Sequence, residues 1–387
     1  MFDIKKILKR SWTILWSYRL LWVFGFLLAL GGNQARDELR YTLNDNQKDP
    51  PASFQAPRHW DGLREWEGIR DWQDLRGDTP GEKLSHAFSL VGSAFRMLQE
   101  QYPVEFRMGI GVLITFVVMV LLFGILTAVL RYVAETSTIR MVDEYEQSGV
   151  KVGFRQAWSY GWSRSAWRLF VVNFIVHLPV LALFGVLILL GWWVFSAVMG
   201  GLQSQIISSL IASTGLAFLL IFITVIVMVV LYVLRDFAWR LIVIEGTPAL
   251  PALRSAAALV RRQWKNVGLM WLVMVGLKIA WAIAFIILLI PLLVVSVFTA
   301  LGGVLVAVLP ALATAGIASL LSAPEYWPWA FAAIIAFPFF LVVAFSPVFL
   351  VSGWAQTYQS STWTLTYREL KALEAVTPEA APAPPSQ

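Results

Sequence analysis

Long apolar runs, broken by short charged stretches, dominate the pattern of this chain. The runs fall at about residues 12–31, 108–130, 168–195, 213–234, 267–293 and 328–355, and none of the 24 Asp and Glu residues lies inside them. Most reach or exceed the roughly 20 residues that an α-helix needs to cross about 30 Å of hydrocarbon. Continuous apolar runs, rather than alternating ones of about ten residues, predict helices and not a membrane barrel. A further apolar stretch at about 299–322 is interrupted by Gly302, Gly303, Pro310 and Gly316. As a seventh span it would carry the C-terminus to the opposite side.

The positions of Lys and Arg decide between six and seven, because short translocated loops avoid both residues. Lys5, Lys6, Lys9 and Arg10 precede the first run. Residues 131–168 and 235–265 are rich in Arg, whereas 196–212 and 294–327 contain neither Lys nor Arg. Arg368 and Lys371 follow the last run. The pattern predicts an all-α polytopic bundle of about six transmembrane helices with both termini in the cytoplasm. It makes 299–322 a re-entrant or interfacial hairpin on the outer side. The expected layout is a first interfacial and transmembrane helix at 1–31, a polar extracytoplasmic insert at 32–107, the helix bundle at 108–365 and a disordered cytoplasmic tail at 366–387. The start of the chain also has the basic beginning and short apolar core of a secretory signal. No clean small-x-small site follows, and the segment takes part in a repeat, so it is read as a retained span.

Composition agrees. The chain is 58% hydrophobic and 14% charged, against about 25% charged in soluble domains. The net charge of +6 raises the possibility of nucleic acid, but the 32–107 insert holds more acidic than basic residues. The positive surplus therefore borders the spans, where it sets orientation, and nucleic acid is not an expected partner. With no cysteine, disulfides, thiolate metal sites and cysteine nucleophiles are excluded.

Three segments share one layout, a cationic Trp-bearing amphipathic stretch followed by a span, an outer excursion and a returning span. They begin at KILKRSWTILWSYRLLWVFGF (6–26), GFRQAWSYGWSRSAWRLFVVNF (153–174) and ALRSAAALVRRQWKNVGLMW (252–271). Each sets basic residues and tryptophan at the depth where interfacial anchors sit, so each is expected to lie along the inner interface before entering the bilayer. The fold class is thus three hairpin-like repeats plus interfacial amphipathic helices. The third copy, with Leu253, Arg254 and Ser255 followed by basic residues and Trp264, resembles the pre-span helix of a broad group of bacterial multi-pass proteins. Among them are families named for the membrane domain that accompanies some glycerophosphoryl diester phosphodiesterases. The resemblance covers residues 150–365 and implies a six-helix domain of the bacterial plasma membrane with no defined role. The insert and the 299–322 stretch depart from that pattern, and no functional residue carries over.

Within the insert, WDGLRE, WEGIRD and WQDLRG follow one another from Trp60 to Gly77. Trp60, Trp66 and Trp72 align, as do Arg64, Arg70 and Arg76. Apolar residues at every third position drift around an α-helix by about 60° per step. The run therefore suits a 3₁₀ or polyproline-like winding, or a helix covered on all sides. Its tryptophans either meet lipid, a sugar ring or a partner protein, or pack within the insert. Leu84, Phe88, Val91, Phe95 and Leu98 recur at helical spacing and predict an amphipathic helix over 82–102.

Ionisable groups inside hydrocarbon cost several kcal/mol and are functional suspects. Lys278 lies near the middle of its run, and His177 follows Asn173 by one turn and precedes Pro179. With no acidic residue in any run, Lys278 has no intramembrane carboxylate on this reading. It either binds an anion such as a lipid phosphate or is satisfied by backbone and water. Nucleotide, zinc-protease and serine-hydrolase motifs are missing, so no cofactor is expected. The reading that emerges is a non-enzymatic membrane module binding lipid, or a partner protein through the insert. Its alternative is a transporter or channel for a lipid or small anion that uses Lys278 and His177.

Overall fold

A chain with this much apolar surface satisfies its backbone within each segment by forming helices. The computed structural model describes residues 3–31, 89, 92–93, 96–97, 99–101, 103–199, 203–320 and 327–376, and every described element is helical. In order these are α1 (Ile4–Ser17), α2 (Leu20–Gly31), α3 (Pro103–Ser148), α4 (Phe154–Gly161), α5 (Arg164–Met199), α6 (Gln203–Glu245), α7 (Ala249–Arg262), α8 (Trp264–Leu320), α9 (Trp327–Ala344) and α10 (Ser346–Val376). Among them α3, α5, α6, α8 and α9 are long and apolar enough to cross a membrane. The α1–α2 pair, bent by 100°, makes a sixth candidate.

The chain divides into two units. The first comprises Met1–Arg40, Thr115–Val176 and Val229–Gln387, the second Tyr41–Ile114 and His177–Met228. In the second unit the described helix faces are oily outward, with Leu113, Phe184, Leu189, Trp192, Ile211 and Phe218 all exposed, a surface that water does not favour. The Trp60–Gly77 hexapeptides, with Trp60, Trp66, Trp72, Arg64, Arg70 and Arg76, lie outside the described residues. Of the helix expected over 82–102, those residues that are described are helical.

The core of the first unit sets small and hydroxyl-bearing residues among large apolar ones such as Phe24, Met141 and Phe237. Ala134, Ser137 and Thr138 of α3, Ala238 of α6 and Ser361 and Thr364 of α10 are buried. Two of these hydroxyls reach back one turn: Ser137 donates to the Val133 carbonyl (2.9 Å) and Thr364 to that of Ser360 (2.9 Å). That satisfies a polar group without widening the helix, so backbones approach closely. One such close approach joins α2 and α10 at Gly25 and Gly353.

Helix ends are held deliberately. Gly149 and Gly246 adopt positive φ (70° and 72°) just past α3 and α6, and each amide returns a hydrogen bond to the last turn (2.9 and 3.1 Å). Glycine pays no Cβ penalty in this helix-ending conformation. Cations close further carbonyls: Lys151 Nζ donates to Ser17 (2.8 Å) and Arg168 to Gly246 (2.6 Å), where the helix dipole favours positive charge.

Four expectations are corrected. The run at 12–31 is no single helix, because the chain breaks at Tyr18 and Arg19 and turns by 100°. The 299–322 hairpin is instead the continuation of α8, one helix to Leu320 with Pro291 and Pro310 inside it. Gly303 serves packing, since a Cβ there would meet the Phe340 carbonyl at 3.0 Å, and Thr299 donates to the Ala344 carbonyl of the same partner helix at 2.7 Å. The run at 328–355 is divided between α9 and α10, which meet at Phe345. The tail expected to be disordered from residue 366 remains helical to Val376. Tyr367 and Leu370 are buried there, and Arg368 and Lys371 pair with Asp143 and Glu245.

Candidate functional site

Two features of the first unit concentrate chemistry, and the first is a threefold helix corner. In α1–α2, α4–α5 and α7–α8 a short helix with basic residues ends within two residues of the next, apolar helix. Exposed tryptophans mark each corner: Trp12 and Trp16, then Trp162 and Trp167, then Trp264. At the first corner Trp16, Trp22 and Trp354 pack ring against ring with centroids 5.1 to 5.5 Å apart. The Trp22 indole N–H donates to the Leu15 carbonyl across the break (2.8 Å). These are the three pre-span segments that the sequence singles out.

The second feature is a cavity of about 370 Å³ where α3, α6, α8 and α10 meet. Four cations line it, Arg131, Arg235, Arg240 and Lys278, with two carboxylates, Glu135 and Asp236. Arg131 and Arg235 are the first charged residues after the apolar runs 108–130 and 213–234, so the cavity lies where oily helix gives way to polar helix. Arg240, only 2% exposed, donates to the Asp236 carbonyl (2.8 Å) and to the carbonyl and hydroxyl of Ser360 (3.1 and 3.2 Å). Its guanidinium lies 3.5 Å from Glu135, which in turn accepts the Ser360 hydroxyl at 2.7 Å. Arg235 pairs with Asp236 (3.2 Å) and stands over the rings of Tyr232 and Trp239 at 4.8 and 4.7 Å, a cation–π arrangement that strengthens as water is excluded.

Of the residues expected from sequence, Lys278 lines this cavity, and Asn173 joins it at one remove by accepting from Arg235 at 3.3 Å. His177 is not among the lining residues and falls in the second unit. Lys278 forms no ion pair among the described residues. Asp236 lies just beyond the apolar run and lines the same cavity. Arg131, Glu135, Arg235, Asp236 and Arg240 were missed because charges at the ends of apolar runs read as orientation signals. The available signal was helical spacing, with Asp236 and Arg240 one turn apart and Arg235 and Trp239 likewise.

A larger space of about 530 Å³ adjoins α1, α3, α6 and α10. There Arg10 pairs with Glu146 at 2.7 Å, and Asp143 and Glu245 with Arg368 and Lys371. These three pairs tie helix ends together. Burial, then the hydrogen bond to Glu245, pushes the Tyr367 hydroxyl pKa up.

A family model described as a family of unknown function (DUF7544) matches residues 69–378. None of the curated proteins and none of the solved structures matches the chain.

Proposed function

The chain belongs to that family of unknown function, and within it we propose a multi-pass protein of the bacterial cytoplasmic membrane that binds lipid or a partner protein rather than catalysing a reaction. On this reading the helices form three hairpins with six spans and both termini in the cytoplasm. The helix corners carry it. Three times a short helix bearing Lys or Arg meets an apolar helix, with exposed tryptophan at the corner. The cytoplasmic leaflet is anionic, and each Lys or Arg near its surface contributes about 1 kcal/mol. Tryptophan prefers headgroup depth. Three such corners on one side hold the bundle against the inner leaflet, and the 32–107 insert then faces outward as the surface for a partner. Reporters active only outside the cytoplasm test this. Fusions at residue 205 and within 60–77 are expected to be active and a fusion after Lys371 silent, and the reverse pattern overturns the reading.

Passage of a lipid or small anion is the second reading, and the specific observation in its favour is the cavity that Lys278 enters. In that case Lys278→Ala abolishes a measured flux while expression is unchanged. Flux that survives the substitution removes the reading.

A further inference from the structure

We propose that the cavity between Arg131, Arg235, Arg240 and Lys278 binds a phosphate-class oxyanion of the monoester type, carried by a lipid headgroup or as free phosphate. The inference stands whichever way the chain threads the bilayer, so it fails separately from the topology above.

Its charges do not balance from within. Glu135 is engaged by Arg240 (3.5 Å) and the Ser360 hydroxyl (2.7 Å), and Asp236 by Arg235 (3.2 Å). Arg131 and Lys278 form no ion pair among the described residues. Arg131 donates to the Gly31 carbonyl at a long 3.5 Å. Two cations are therefore left over in a low-dielectric setting, where an uncompensated charge is costly.

Hydrogen bonding leans the same way. The Nε of Arg240 and the indole N–H groups of Trp239 and Trp363, all on residues that line the cavity, are buried without an acceptor among the described residues. These groups donate only, so donors in the lining are left over. A phosphate monoester supplies the complement, with about −1.5 to −2 charge at pH 7 and three strong acceptor oxygens. A carboxylate or a phosphodiester brings one negative charge and leaves one cation unanswered. The volume of about 370 Å³ is within the roughly 300–1,000 Å³ usual for small-molecule sites. Leu28, Val229 and Met274 give it an oily wall beside which the glycerol and first methylenes of a lipid would lie.

The test uses the full chain in nanodiscs of phosphatidylcholine, alone or with phosphatidate or phosphatidylglycerol, and separately with inorganic phosphate added. Thermal unfolding is followed in each. Phosphatidate or phosphate is expected to raise the unfolding temperature. The apparent affinity should fall about tenfold in Lys278→Met and in Arg131→Gln, and be kept in Lys278→Arg. A gain from phosphatidate alone identifies a lipid headgroup, and an equal gain from inorganic phosphate identifies the free ion. Stabilisation by phosphatidylglycerol equal to that by phosphatidate, an affinity unchanged in both neutralised variants, or no gain from either phosphate source overturns the proposal.

Discussion

Gly25 of α2 and Gly353 of α10 meet backbone to backbone. A Cβ on Gly353 would lie 2.5 Å from the carbonyl oxygen of Gly25, and one on Gly25 would lie 2.7 Å from that of Gly353. The opposing main-chain atoms cannot yield, and at Gly25 the Thr357 hydroxyl, 2.5 Å away, crowds the added carbon as well. Close helix contacts of this kind depend on small residues. Gly25→Leu or Gly353→Leu should therefore destabilise the fold by about 1–3 kcal/mol or more, the usual cost of overpacking. Gly276→Ala, where nothing lies within 4 Å of the added carbon, should be neutral. Thermal unfolding of the three purified variants checks this, and wild-type melting of Gly353→Leu would refute the packing.

The Arg240–Glu135 pair is buried with good partners on both sides. Arg240→Met leaves a carboxylate in the interior, and Glu135→Leu leaves a guanidinium. Removing one partner of such a pair costs about 3–5 kcal/mol, whereas removing both is far milder. The double variant should consequently be more stable than Arg240→Met alone. Chemical denaturation of the four proteins in a cycle measures the coupling, and simple additivity of the two losses would show that the charges do not interact.

Tyr367 gives a pH signature. Burial raises its pKa in the folded chain above the ordinary value of 10.0, so the folded state holds the proton more tightly than the unfolded one. Its contribution is complete below pH 10 and is lost as pH climbs from there toward the folded value. The wild type should lose more stability between about pH 9 and about pH 11 than Tyr367→Phe, which has no proton to release. Parallel pH profiles of melting temperature for the two proteins would contradict this.

The hexapeptide run is the expected partner surface. Deleting residues 58–78 should leave the first unit folded, as judged by unchanged helix content and melting, while removing a protein that co-purifies with the full chain in detergent-free particles. Retention of the same partner by the shortened chain would assign binding elsewhere.

The three corners were legible in the sequence because one segment writes both halves of the signal. Basic residues and tryptophan stand beside a long apolar run, as at Arg164, Trp167 and Arg168. The cavity was not, because its members come from distant segments. Glu135 and Ser360 are 225 residues apart, and nothing local to either announces the other. Lys278 stood out as a charge in an oily run, but its neighbour Asp236 sits just past the end of another run and looked like part of a loop. Gly302, Gly303 and Pro310 misled for a different reason. They break helices in water, whereas in an apolar helix glycine admits a neighbour's backbone, and α8 runs on unbroken through Pro310.

The length of α8 imposes a constraint of its own. At 57 residues and 1.5 Å per residue it measures about 85 Å, while a bilayer with its headgroups is about 40–45 Å thick. Even at a steep tilt of about 40° such a rod still rises about 65 Å. Its far end is oily, with Leu305, Leu309 and Leu320 uncovered, and α9 shelters only one flank. Held straight through Pro291 and Pro310, roughly 20 Å of greasy rod would outreach the lipid and would be clothed by further protein, by a second membrane or by the detergent collar used to extract it.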